Sequence, residues 1–263
     1  MAEAVKAVKR LNATKTAAAH QKEWFFGLKE RVAAGEDFGY LNADVPMEVL
    51  RAMDIPFVVN QWWAAICGAK QMTSKYFGLL RDAGYRDDLC SYCATAFAES
   101  LDPDDKVSGP WGGLPSPTIA ITRLACDCQG KIFELFSKRH GAKLYTLENT
   151  VPRKLPLNWW ELDQDRWEEL YDTDRLDFAV EELKTMIRFL EEKTGKMFDI
   201  NRLAEVMHLI NEQETWYAKT RDLIAKTSPA PVTVSVTGSV PCGASTAVYA
   251  FICAVSSVTT EKS

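Results

Sequence analysis

Four cysteines stand in two close pairs: Cys90 and Cys93 form C-x-x-C within DDLCSYCATAF, and Cys126 and Cys128 form C-x-C within RLACDCQGK. Three or four thiolates converging from two loops can hold a [4Fe-4S] cluster, because soft sulfur satisfies soft iron and a loop at a strand end leaves room for the cubane. Zinc is the competitor, but zinc ribbons prefer two C-x-x-C knuckles with a shorter spacer than the one found here. A thioredoxin-like dithiol at Cys90 and Cys93 is a further reading, although such a pair normally opens a helix after a strand, with small or apolar residues between its cysteines. Buried thiols with no ligand satisfy the same spacing.

The other candidates carry less. Cys67, in AAICGAK, lies on an apolar helix face and reads as core. Cys242 and Cys253 fall in an unusual C-terminal stretch and receive no role. His20, His140 and His208 each lack a neighbouring second ligand and read as surface or helix residues. Asp127 and Glu148 are lone carboxylates of a kind common near strand ends. GPWGG lacks the Lys and Ser/Thr of a phosphate-cradling loop.

The 263 residues are 47% hydrophobic and 25% charged, with a net charge of −5. That is ordinary globular composition, sufficient for one large domain or two smaller ones. The basic residues are spread along the chain, which disfavours nucleic acid and anionic membrane surfaces as partners. The N-terminal stretch is interrupted by charge every few residues and lacks the apolar region of a signal peptide, so a cytoplasmic protein is expected. In a reducing compartment seven cysteines do not make a disulfide framework.

The elements that must position these cysteines follow from periodicity and punctuation. Residues 3–34 read as helical, with a break near Gly35. A short strand near Tyr40, a helix opened by Pro46 and a strand over Ile55 to Val59 come next. WWAAICGAKQMTSKYFGLLRDAG has apolar positions at helical spacing and stops at Gly84. TIAITRLA reads as a strand entering the second cysteine pair, GKIFELFSKRHG as a helix ended by Gly141, and AKLYTLEN as another strand. Strands alternating with helices predict a Rossmann-like parallel sheet with flanking helices, which places ligand sites where strands end and helices begin. Both cysteine pairs are expected at such places.

Beyond Arg153 the chain is helical again. One helix carries Phe178, Leu183, Ile187 and Leu190 on one face and stops at Gly195; Asp199 caps a second with Leu203, Val206, Met207 and Ile210. The two are expected to form an antiparallel helical hairpin. From Thr227 to Thr260 there is no charged residue. The predicted organisation is therefore an N-terminal helical segment (1–37), an α/β lobe with the cysteine motifs (38–152), a helical segment (153–228) and an uncharged tail (229–263).

In combination, DDLCSYC, TRLACDCQGKIFELF and LKTMIRFLEEKTGKMFDINRLAEVMHLINE, followed by PAPV, resemble the family of 2-hydroxyacyl-CoA dehydratases and benzoyl-CoA reductases over about residues 20–232. The resemblance implies two α/β lobes per subunit with a [4Fe-4S] cluster at their junction. Cys90 resembles the ligand of the family's CSY element, and Cys126 the ligand preceding Asp in its CD element. Cys93 and Cys128 are extra to that pattern and rank as spare thiols near the cluster. The family's second lobe, which would bring a third ligand, is not recognisable and is expected to be truncated or replaced by the tail.

The resemblance further implies a homologous partner subunit and an ATP-dependent iron-sulfur activator protein. One injected electron turns the thioester of a 2-hydroxyacyl-CoA substrate into a ketyl radical anion, hydroxide leaves, and the otherwise unreactive β-proton becomes acidic. Trp62, Trp63 and Trp111 are read either as a shield for such a pocket or as core. Two rival functions stand beside this one: an aryl-CoA reductase subunit of the benzoyl-CoA type, and a non-catalytic or truncated subunit without a cluster.

Overall fold

The β-branched and aromatic runs become four short parallel strands: β1 (Gly39–Leu41), β2 (Phe57–Val59), β3 (Ile119–Arg123) and β4 (Lys143–Leu147). Their order is β2-β1-β3-β4, with Tyr40 opposite Val58 on one side and Ala120 on the other, and Ile121 opposite Tyr145. These positions come from a computed structural model that describes residues 12–88, 90–148 and 156–228. The uncharged tail (229–263), with Cys242 and Cys253, lies outside the described residues. All of β1 and β2 and the first four residues of β3 are buried, as expected for strands covered by helices on both faces, whereas β4 is half exposed.

Helix α1 (Asn12–Ala33) precedes the sheet, α2 (Met47–Ala52) joins β1 to β2, and α7 (Asp127–His140) joins β3 to β4. Between β2 and β3 come α3 (Asn60–Ala69), α4 (Thr73–Asp82), α5 (Ser91–Glu99) and α6 (Asp105–Ser108). The apolar run after Val59 is thus two helices. Gln71 adopts φ +60° while Met72 N–H closes onto Cys67 C=O at 3.0 Å, which turns the chain without glycine.

Helix α5, read from sequence as loop-like ground around Cys90 and Cys93, is buried at every position from Cys93 to Glu99. It packs against α3, α4 and α7, and its Ala and Cys side chains are what let three helices approach it. The sheet's core is aromatic: Tyr40 lies 5.2 Å from Phe133 and 4.3 Å from Phe136, ring to ring, and its hydroxyl donates to Asn60 Oδ1. Trp62, Trp63 and Trp111 join Phe25 in a second aromatic cluster against α1; Trp62 and Trp63 are core, and Trp111 packs against it half-buried. Trp63 is fully buried, and its indole N–H donates to the buried Glu99.

The C-terminal helices are α8 (Trp159–Asp165), α9 (Thr173–Thr194) and α10 (Ile200–Lys226). Asp172 caps α9, Asp199 caps α10 through Asn201 N–H, and Gly195 ends α9 at φ +69°. The two helices do not pack chiefly on each other as an antiparallel pair: α9 docks on β4 and α10 along α2. The buried face of α9 centres on Met186 and Leu190, with Leu183 and Ile187 beside them; Phe178, expected in that stripe, is 46% exposed because it precedes the part of α9 that reaches the sheet. On α10 Val206 is buried but Met207 is exposed. A charge cluster ties this region to the rest: Arg31 pairs with Glu36 at 2.6 Å and Asp54 at 3.1 Å, and Lys196 reaches Glu36 at 3.3 Å.

Candidate functional site

The chain leaves β1 towards β2 on one side and passes from β3 to β4 on the other, so its direction reverses between the neighbours β1 and β3. Open parallel sheets bind ligands beyond the carboxyl ends of the strands at such a point. Here that edge is Asn42, directly after β1, and residues 124–126, directly after β3. Asn42 N–H bonds Ile121 C=O at 3.0 Å, holding the two strand ends together.

The Asn42 carboxamide is nearly fully buried. Its Oδ1 accepts from Gln61 Nε2 in the first turn of α3 and from Gln129 Nε2 in the first turn of α7, the latter at 3.0 Å; its Nδ2 donates to Asp44. Gln61 Oε1 in turn accepts from Ala43 N–H at 3.0 Å. These three amides went unnoticed in the sequence, and an Asn immediately after a strand is the single local signal. Gln129 Oε1 and Arg123 Nε, at the same edge, are buried without a hydrogen-bond partner among the described residues.

Both cysteine pairs open helices at this end. Cys90 is the N-cap of α5 and Cys126 the N-cap of α7, both exposed, with Asp127 in the first turn of α7. Helix N-termini favour anionic groups, thiolates included. The expectation that each pair follows a strand holds for Cys126; Cys90 follows the turn after α4 and reaches the site because α5 packs on α7. Asn60 fixes that placement, its Nδ2 donating to Tyr92 C=O at 2.6 Å while its Oδ1 holds Tyr40.

Cys93 is buried, with the thiols of Cys90 and Cys128 as its electrostatic neighbours, so the two pairs meet. Burial, followed by these neighbouring thiols, pushes the Cys93 thiol well above the usual range. Cys67 is fully buried on α3, as its apolar setting predicts, and burial likewise raises its thiol. Among the described residues no group of three or more His, Cys, Asp and Glu side chains is arranged to hold a metal ion. His20, His140 and His208 lie on α1, α7 and α10. Lys29 Nζ binds the carbonyls of Trp111 and Gly112, so GPWGG is a tethered turn of the aromatic core.

A parallel α/β lobe with paired thiols at the N-termini of two packed helices defines the class of protein. The chain matches the 2-hydroxyglutaryl-CoA dehydratase, D-component family over residues 42–246 and belongs to that family. The match starts later than the resemblance in the sequence and runs into the uncharged tail. The chain is 23% identical over 206 residues to the (R)-2-hydroxyisocaproyl-CoA dehydratase alpha subunit of Clostridioides difficile, covering 75% of this chain and 44% of that protein. It is 24% identical over 210 residues to the (R)-phenyllactyl-CoA dehydratase alpha subunit of Clostridium sporogenes, covering 77% and 45%. The chain thus spans less than half the length of these curated relatives. No described helix is long and apolar enough to cross a membrane.

Proposed function

We propose that the chain is a subunit of a 2-hydroxyacyl-CoA dehydratase, working with a homologous partner subunit and an ATP-dependent iron-sulfur activator. Cys90 and Cys126 are two of the cysteine ligands of its [4Fe-4S] cluster. The observation that carries this reading is the placement of two exposed thiols at the N-termini of packed helices, at the reversal edge of a parallel sheet. The donor set suits iron: both ligands are soft sulfur, carried at the N-termini of two helices. Cys93 and Cys128 are the spare candidates beside them.

When bound, such a cluster supplies low-potential electron chemistry and an iron open to a substrate oxygen. The residues of this chain hold the site in place. Asn42 locks the first turns of α3 and α7 to the end of β1, and Asn60 locks the first turn of α5 to the start of α3. Both thiol-bearing turns are therefore fixed from the sheet side before any ligand arrives, as a preorganised site requires. Gln129 Oε1, buried at this edge and without a hydrogen-bond partner among the described residues, is an acceptor open to a ligand or water.

The dehydratase reading takes precedence over the aryl-CoA reductase because both relatives above are dehydratase subunits. Anaerobic turnover with activator, reductant and partner subunit tests it. Formation of a 2-enoyl-CoA from a 2-hydroxyacyl-CoA, with benzoyl-CoA left unchanged, is the expected result. Reduction of benzoyl-CoA would reassign the reaction, and a colourless chain inert to both would mark a non-catalytic subunit.

A further inference from the structure

Cys90 and Cys93 have unequal surroundings on one helical turn. Cys90 is exposed at the N-cap of α5; Cys93 is buried three residues on. The turn between them is held by Cys93 N–H on Cys90 C=O at 3.0 Å and by Asn60 on Tyr92 C=O. One turn of helix brings two Cα atoms to about 5–6 Å, within the range a disulfide spans. An exposed attacking thiol backed by a sheltered resolving thiol is the arrangement that dithiol–disulfide exchange requires.

We infer that Cys90 and Cys93 form a reversible redox pair in the cluster-free chain, with a low-molecular-weight disulfide such as oxidised glutathione as the oxidant. The Cys90 thiolate attacks one sulfur of the small disulfide and expels one small thiolate. Cys93 then gives its proton to solvent, attacks the Cys90 sulfur of the mixed disulfide and expels the second small thiolate. Two protein thiols and one small disulfide thus become one protein disulfide and two small thiols. This chemistry is independent of the cluster reading; its consequence, that oxidation withdraws Cys90 from metal binding and reduction returns it, rests on that reading.

The test is thiol mapping of the full, chelator-treated chain after incubation with oxidised glutathione, acid quench and trypsin digestion. Cys90 and Cys93 fall in one tryptic peptide, residues 87–106, while Cys126 and Cys128 fall in another, residues 124–131. Peptide 87–106 is expected to lose both free thiols, carry no glutathione and recover on reduction. Cys93→Ser is expected to trap a glutathione adduct on Cys90, and Cys90→Ser to leave Cys93 unmodified. Three results would overturn the inference: a stable glutathione adduct on wild-type Cys90, a crosslink joining peptide 87–106 to 124–131, or two free thiols in peptide 87–106 after oxidation. None of these depends on iron, so the inference and the cluster reading fail separately.

Discussion

Gln129 Nε2 donates to Asn42 Oδ1 at 3.0 Å, joining residues 87 positions apart. This single contact fixes the turn that carries Cys126 and Cys128 against the end of β1. Asn42→Ala removes the acceptor shared by Gln129 and Gln61 and leaves two half-buried amide donors unsatisfied. A loss of about 1–3 kcal/mol is expected from urea unfolding. In anaerobically prepared protein, faster loss of iron on dilution should accompany it; unchanged iron retention would show that the amide cluster does not support the cysteine turn.

The Arg31 guanidinium holds the Glu36 carboxyl down at about 2, assisted by Lys196 and opposed by partial burial. A depressed folded-state pKa gives stability that is complete above the ordinary value of 4.5 and is lost as pH falls towards 2. Glu36→Gln should therefore lower Tm at pH 6 and converge with wild type near pH 2. The carboxylate is a third exposed, so solvent screening keeps the difference small. Parallel Tm curves across that window would exclude the linkage.

Two glycines should respond with opposite signs to alanine. Gly195 ends α9 at φ +69°, and Gly195→Ala should cost about 1 kcal/mol through left-handed strain. Gly27 lies inside α1 with open space around an added Cβ, so Gly27→Ala should gain about 0.5–1 kcal/mol. Chemical denaturation of both variants checks the pair.

Punctuation made much of this fold legible. Gly141 and Gly195 stop helices in the left-handed conformation, Asp199 caps α10, and the strand runs are where β-branched residues cluster. The break between α3 and α4 was hidden because Gln71, neither Gly nor Pro, takes the positive φ. The helix at Cys90 was hidden because α5 is buried on nearly every side and shows no amphipathic period. Phe178 misled for the reverse reason: its spacing fits the stripe of α9, but the sheet ends before it.

The candidate site was legible in its cysteines and not in its supports. Close spacing marked the two thiol pairs, and topology alone brings Cys93 to Cys128 and Asn42 to Gln61 and Gln129. Amides scattered over three elements leave no periodic or motif signal.

Iron and acid-labile sulfide content, measured under strict exclusion of oxygen on the wild-type chain and on Cys90→Ala, Cys126→Ala and Cys67→Ala, tests the cluster assignment most directly. Iron and sulfide are expected in wild type and Cys67→Ala and are expected to be lost in the other two. Equal content in all four proteins, or none in any, would contradict it.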